Sequence, residues 1–219
     1  GIPRIDFSDD ANGALLLENS STNSITYSED FSNASWLKSS LTVTPNSTNS
    51  PNGTLNATSL INTTINQSHT RVSFTTTTTG IYTGSAYLKK QDFDFIYVEL
   101  GNAFARFNIS NGTLGASGSF GSGWTFINHS IENVGNDWCR VSITANNTIT
   151  GTYNFRPYQP TSTFNNFDSG SIGTTFIYGA QLEQNSYATS YIKTVGTAQT
   201  RVADTASGSG NSTVINSTE

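Results

Sequence analysis

Charge is scarce in this sequence. Only 11% of its 219 residues are Asp, Glu, Lys or Arg, about half the share of an ordinary soluble domain. Ten basic residues against 15 acidic ones leave a net charge of −5. With no basic stripe to neutralise phosphates, the chain is not expected to wrap a nucleic-acid backbone. Cys139 is the single cysteine, so no intrachain disulfide can form. A chain of this length buries roughly 70% of its unfolded surface without one. Cys139 is therefore expected to pack as a small buried hydrophobe. Methionine is absent and the first residue is Gly1, which reads as a fragment or processed product of a longer protein. No apolar run reaches the roughly 18 residues of a membrane helix, and membrane insertion is not expected. His69 and His129 lie far apart, and neither CxxC nor HxxxH spacing occurs, so no metal or cofactor is expected. There is no GxSxG elbow, and Gly118 to Gly123 lacks the Lys-Ser/Thr sequel of a phosphate loop.

What the chain has instead is Ser, Thr, Asn and Gly, with 11% aromatic residues recurring along its length. Disordered segments lack such spaced aromatics. Period-two runs bounded by turn residues place strands at Ala14 to Glu18, Leu41 to Thr44, Leu55 to Ile61, His69 to Thr76 and Ile81 to Lys89. Further strands follow at Phe93 to Leu100, Ala103 to Ile109, Thr113 to Ala116, Trp124 to Glu132, Trp138 to Ala145 and Thr152 to Tyr158. Gly80, Gly101-Asn102, Asn111-Gly112, Gly135-Asn136 and Gly151 punctuate them. Pro45 to Gly53 reads as a loop, and Asn33 to Trp36 as one helical turn. No sustained 3.6-residue apolar period occurs. The fold class is all-β, an antiparallel β-sandwich of jelly-roll type. One domain is expected over residues 1–205, with an extended lead-in to Asp10. The Gly/Ser/Asn-rich residues 206–219 read as a linker to a downstream domain.

The last strand, Thr174 to Glu183, closes the sandwich in this reading. Strict alternation puts Phe176, Tyr178, Ala180 and Leu182 on one face. A polar turn at Gln184 to Ser186 leads to a second short run, Ala188 to Ile192.

Four stretches carry a family resemblance: Gly13 to Trp36, Tyr82 to Gln91, Ile131 to Thr144 and Ile177 to Asp204. Together, and above all in GAQLE followed by ATSYI, the chain resembles a β-sandwich module of bacteriophage head-fibre and tail-spike proteins. It is more distantly similar to jelly-roll carbohydrate-binding modules of secreted polysaccharide hydrolases. The resemblance implies a non-enzymatic virion-surface module, homotrimeric like such fibres. Its partners would be cell-surface polysaccharide and other virion proteins, its role adhesion or capsid decoration. The alternatives are a binding module of a secreted glycan-degrading enzyme and a spacer without a ligand.

Sugar sites set an aromatic face against a pyranose ring and frame it with hydrogen-bonding groups. Trp124, Tyr97, Tyr158, Arg106 and Arg156 are the candidates for such a surface, Trp124 because it follows the glycine-rich Gly118 to Gly123. Trp36 and Trp138 read as packing residues. Many sugar-binding jelly rolls hold a structural calcium with carboxylates on the last strand, where this chain has Gly179, Ala180 and Gln181. Glu18, Glu29 and Asp30 are the remaining donors for such an ion. Asp92 and Asp94, alternating with Phe93, would share a face as a carboxylate pair, as would Glu18 with a cross-strand partner, and no glycoside hydrolysis is expected of them.

Overall fold

The computed structural model describes residues 17–205 in full, preceded by the backbone of two short paired strands, β1 (Ile5–Asp6) and β2 (Ala14–Leu15). The expected linker at 206–219 and most of the lead-in lie outside the described residues. In chain order there follow β3 (Ser21–Asn23), β4 (Trp36–Ser39), β5 (Leu41–Asn49), β6 (Leu55–Asn62), β7 (His69–Thr76), β8 (Gly80–Lys90), β9 (Phe95–Leu100) and β10 (Ala103–Asn108). Next come β11 (Thr113–Ser119), β12 (Trp124–Gly135), β13 (Trp138–Asn147), β14 (Gly151–Tyr158), β15 (Pro160–Thr161), β16 (Gly173–Glu183) and β17 (Gln199–Arg201). No helix occurs among the described residues.

Two antiparallel sheets face each other. One runs β12-β13-β8-β16-β6-β5; the other runs β11-β10-β9-β14-β7-β4, with β15 also pairing β9. Eight central strands, counted along the chain as β6, β7, β8, β9, β10, β13, β14 and β16, fall into the orders first-eighth-third-sixth and second-seventh-fourth-fifth. That interleaving is the jelly roll. Strands β5, β12, β4 and β11 extend the two sheets outwards.

Alternation explains the core. From one sheet Ile96, Val98 and Leu100 of β9, Phe107 of β10 and Phe155 of β14 point inward, to meet Leu88 of β8, Val141 and Ile143 of β13 and Ile177 of β16. Ala86, Ala103, Ala105 and Ala145 are interleaved with them, so large rings sit over small neighbours. At Gly84 the fit is tightest. A Cβ there would stand 2.4 Å from the Phe155 ring of the opposite sheet. Trp36 and Trp138 are both buried, their indole N–H groups donating to Tyr27 O (2.8 Å) and Asn49 O (3.1 Å). Cys139 is buried too, with its thiol against Ile109 O at 3.6 Å.

Strand β16 departs from simple alternation. Its register against β8 shifts between Tyr178 and Gln181, and Gly179 there has φ +59°. This bulge reverses the facing on its N-terminal side. Ile177, Ala180 and Leu182 face the core, whereas Phe176 and Tyr178 join Ala57, Tyr87, Trp138 and Tyr191 in a separate cluster. The single face expected for Phe176, Tyr178, Ala180 and Leu182 is thus corrected. Gly179 also lies under two rings, since a Cβ would stand 3.0 Å from Tyr87 and 3.2 Å from Tyr191.

Strand β6 leaves β16 after Ile177, and the segment around β3 takes its place. Ser24 N donates to Leu182 O (2.8 Å) and Ala180 N to Ser28 O (2.9 Å). The buried Asn23 amide donates to Ala180 O (3.1 Å) and Ile192 O (2.8 Å) and accepts from Leu182 N and Ile25 N (both 3.1 Å). Gln181 accepts from Ile192 N (2.6 Å) and donates to Thr189 O (3.3 Å). The fully buried Glu183 accepts from Ser21 Oγ (2.6 Å), Thr189 N (3.1 Å) and Thr189 Oγ1. The run Ala188 to Ile192 is therefore held by side chains and forms no strand, while β17 pairs β3.

Two local expectations change. Pro45 to Asn49 continues β5 instead of looping, because β5 is a sheet edge that tolerates a missing N–H and a register shift between Thr44 and Thr48. Asn33 to Trp36 forms successive turns, Asn33 N to Asp30 O and Trp36 N to Asn33 O, and no helix.

Replacing Gly84 by Val is expected to lower the unfolding free energy by about 2 kcal/mol or more, through overpacking against Phe155. A urea titration would show the midpoint fall at unchanged m value. Asn23→Ala strands two buried N–H groups and two carbonyls and is expected to cost about 3 kcal/mol in the same titration.

Candidate functional site

The outer face of the β11-to-β4 sheet carries the residues with chemistry to offer. Residues alternating with the core positions project outward: Tyr97 and Glu99 from β9, Phe104 and Arg106 from β10, Arg156 from β14, and His69 and Arg71 from β7. Register sets them side by side, with Arg106 opposite Tyr97 and Glu99 opposite both Phe104 and Arg156.

Residues 162–172, between β15 and β16, fold against this face. Phe164 packs edge-on to Phe95 at 4.8 Å and sits where a Cβ on Gly115 would be, 2.4 Å from its ring. Its carbonyl accepts Arg106 Nη1. That anchor places the Phe167 ring 4.8 Å from the Arg106 guanidinium and 5.3 Å, edge-on, from Tyr97. Tyr97 stacks on Phe104 (5.7 Å), and Phe104 stacks on Phe120 from the loop after β11 (6.5 Å). Arg106 lies 5.8 Å from both the Tyr97 and Phe104 centroids. Arg156 Nη1 bonds Gln159 Oε1 (2.8 Å) and pairs with Glu99 Oε2 (3.3 Å), which also accepts the Tyr97 hydroxyl (3.2 Å).

Between these groups runs an open groove of about 460 Å³, bounded by Phe104, Phe120 and Phe167, with Glu99, Arg156 and Gln159 at its polar side. Phe120 and Phe167 are 45% and 48% exposed, large apolar surface left facing water at its rim. Burial holds the Tyr97 phenol far above its usual range, and Glu99 adds to the effect. Burial also raises the Glu99 carboxyl, against the pull of Arg156 and Arg71. His69 is lowered, first by burial and then by Arg156 and Arg71. The arrangement offers aromatic faces, two guanidinium groups, an amide and one carboxylate around a shallow groove.

Of the five residues picked out in the sequence, Tyr97, Arg106 and Arg156 come together here. Trp124 and Tyr158 do not. Trp124 is 3% exposed, packed among Phe74, Tyr82 and Tyr153 in the core. Gly101 makes room for its indole, which would lie 2.3 Å from a Cβ at that position. The glycine-rich loop thus exposes Phe120 and not Trp124. Tyr158 is fully buried because the register shifts between Phe155 and Tyr158, so Tyr158 no longer shares the outward face of Arg156.

The other candidates are engaged elsewhere. Glu18 holds Ser190 N (2.8 Å) and Arg201 (2.8 Å); Glu29 holds Tyr178 OH (2.9 Å) and Lys193 (2.7 Å); Asp30 caps the turn at Ser32 and Asn33. Among the described residues no cluster of three or more His, Cys, Asp or Glu could hold a metal ion. Asp92 accepts Thr174 N (2.7 Å), and Asp94 pairs with Lys90. His129 packs on Phe107 and Phe126. Phe104, Glu99, Phe120, Phe167, Gln159 and Arg71 were missed in the sequence. Alternation with Arg106 and Tyr97 signals Phe104 and Glu99, whereas Phe167 sits in a loop whose path only tertiary contacts decide.

Set against known proteins, the chain matches no family model and no curated protein.

Five tyrosines, Tyr87, Tyr97, Tyr158, Tyr178 and Tyr191, have phenols raised above their ordinary value of about 10, in each case chiefly by burial. The folded state then holds protons that the unfolded state releases. Their contribution to stability is complete below about pH 10 and is lost as pH rises beyond it. Ultraviolet titration is expected to show these tyrosines ionising only together with alkaline unfolding. Ionisation of most tyrosines near pH 10 with the near-ultraviolet circular dichroism intact would contradict their burial.

Proposed function

We propose that this chain is a non-enzymatic glycan-binding module of a virion fibre or spike, acting in attachment to cell-surface polysaccharide as part of a homotrimer. The observation that carries the binding half is the groove of Phe104, Phe120 and Phe167 beside Arg156, Glu99 and Gln159. Aromatic faces of this kind suit the C–H face of a sugar ring, and the amide, guanidinium and carboxylate groups suit its hydroxyls. The rim rings, Phe120 against Phe104 and Phe167 against Tyr97 and Arg106, still leave nearly half their surface to water. The virion half rests on the resemblance of the four stretches named above. Glu99 lies among guanidinium and aromatic groups with no second carboxylate beside it, which supports recognition over hydrolysis, since glycoside cleavage normally takes a pair.

The wild-type chain is expected to bind defined members of an array of bacterial surface glycans. Phe120→Ala and Phe167→Ala are each expected to weaken that binding about tenfold, as loss of a central aromatic contact does, with the melting temperature nearly unchanged. Absence of binding to every glycan would leave a structural spacer. Solution scattering tests the assembly separately, and a monomer would count against the fibre.

A further inference from the structure

The sheet face that carries the groove is basic in an acidic chain: Arg156 lines the groove, while Arg106 and Arg71 stand beside it on β10 and β7. Arg71, Arg106 and Arg156 stand on one sheet face, three of only 10 basic residues, in a chain of net charge −5. One carboxylate, Glu99, answers them, and it pairs with Arg156. The next acid, Asp168, is occupied at the base of the 162–172 segment by Ser162 Oγ (3.2 Å). Arg106 is 7% exposed and has no carboxylate partner among the described residues; one of its Nη groups holds Phe164 O, and its Nε has no acceptor. Arg156 Nε is likewise buried without an acceptor. Arg71, half-buried on β7, makes no ion pair among the described residues, yet lies close enough to act electrostatically on both Glu99 and His69.

A buried guanidinium without a counter-ion is destabilising, which is the state of Arg106, and the half-buried Arg71 likewise has no ion pair among the described residues. Elsewhere the same chain covers its outward faces with Thr, Ser and Asn, as on β7 and β14, where Ser73 meets Asn154 and Thr75 meets Thr152. Neutral residues would have served at the groove as well. Guanidinium groups match carboxylate and sulfate geometry with paired hydrogen bonds. We infer that the groove takes an acidic saccharide, its carboxylate or sulfate group set at the Arg71–Arg156 end and its ring against Phe104, Phe120 and Phe167.

This rests on the glycan-binding reading and sharpens it. Two pairs of polymers test it by titration calorimetry on the full chain: polygalacturonate against its methyl ester, and dextran sulfate against dextran. Within each pair the sugar backbone is the same, and the acidic group is present in one member and masked or missing in the other. At least one acidic member is expected to bind at least about tenfold more tightly than its neutral twin, with affinity falling as salt is raised. The pair that responds tells carboxylate from sulfate. Arg71→Gln is expected to remove about tenfold of the acidic affinity with the neutral twin's binding and the melting temperature nearly unchanged, because the Arg71 side chain makes no hydrogen bond or ion pair among the described residues. Equal binding within both pairs, or binding of neutral polymers and neutral array glycans alone, overturns the acidic ligand and leaves the glycan-binding reading standing. Failure to bind any polymer or any array glycan removes both.

Discussion

The carboxamide of Asn23 is the contact on which the architecture turns. Strand β16 sits at the centre of its sheet, but β6 covers only its first half. Beyond Ile177 its outer edge would present buried N–H and C=O groups with no strand to meet them, a state that costs about 1–3 kcal/mol for each group. Asn23 meets two of them and ties in Ile25 and Ile192 as well. An amide alone among short side chains both donates twice and accepts twice, which is what this position requires. Gln181, between Ala180 and Leu182, and Glu183, the residue after Leu182, repeat the device from β16 itself, so the segments before β4 and after β16 are clasped to one strand. The clasp is polar and almost wholly buried, and each member is satisfied, the condition under which such a network specifies a structure.

This explains what was readable in the sequence and what was not. Period-two alternation with glycine and asparagine turns is a local signal, and it located β7, β13, β14 and β16 to within two residues at either end. It cannot register an inserted residue. The bulge at Gly179 moves Phe176 and Tyr178 to the opposite face, and the shift between Phe155 and Tyr158 takes Tyr158 into the core. Both errors about facing share this one cause. Trp124 failed for a different reason: whether a glycine-rich loop exposes the residue after it depends on what lies opposite. There Gly101, distant in sequence, leaves a ring-sized space. Tyr97, Arg106 and Arg156 share the outward face because β9 runs in unbroken register with β10 and meets β14 at Glu99 and Arg156.

The scarcity of charge also gains a structural meaning. A sandwich whose outer strands bear hydroxyls and amides needs few ions for solubility, so those it keeps are conspicuous by position. Glu18 with Arg201 and Glu29 with Lys193 stand at the clasp. Arg156 with Glu99 stands at the groove, beside two further arginines that have no acidic partner among the described residues. The pairs at the clasp fasten chain segments that lie more than 160 residues apart in sequence. The arginines at the groove fasten far less, Arg106 holding one loop carbonyl and Arg71 none among the described residues.

The four stretches that carry the family resemblance converge on the outer side of the β12-to-β5 sheet. The Gly13-to-Trp36 stretch supplies Asn23 and Ser28, and the Ile177-to-Asp204 stretch supplies the bulge and its clasp. Tyr87 and Arg140 come from the other two, Tyr87 packing on Tyr178 and Tyr191, and Arg140 donating to Thr189 O at 2.7 Å. Tyr97, Glu99, Phe104, Arg106, Phe120, Arg156 and Phe167 all lie outside those stretches, on the opposite sheet. The residues of these stretches thus build the clasp, its aromatic cluster and, through Ile25, Phe31 and Trp36, part of the inter-sheet core. Substitutions on the groove face disturb neither the clasp nor the inter-sheet core, because outward positions on β9, β10 and β14 alternate with the buried ones. A fold divided in this way can keep its frame while the outward face of the other sheet changes, so the side chains of that face vary independently of the clasp.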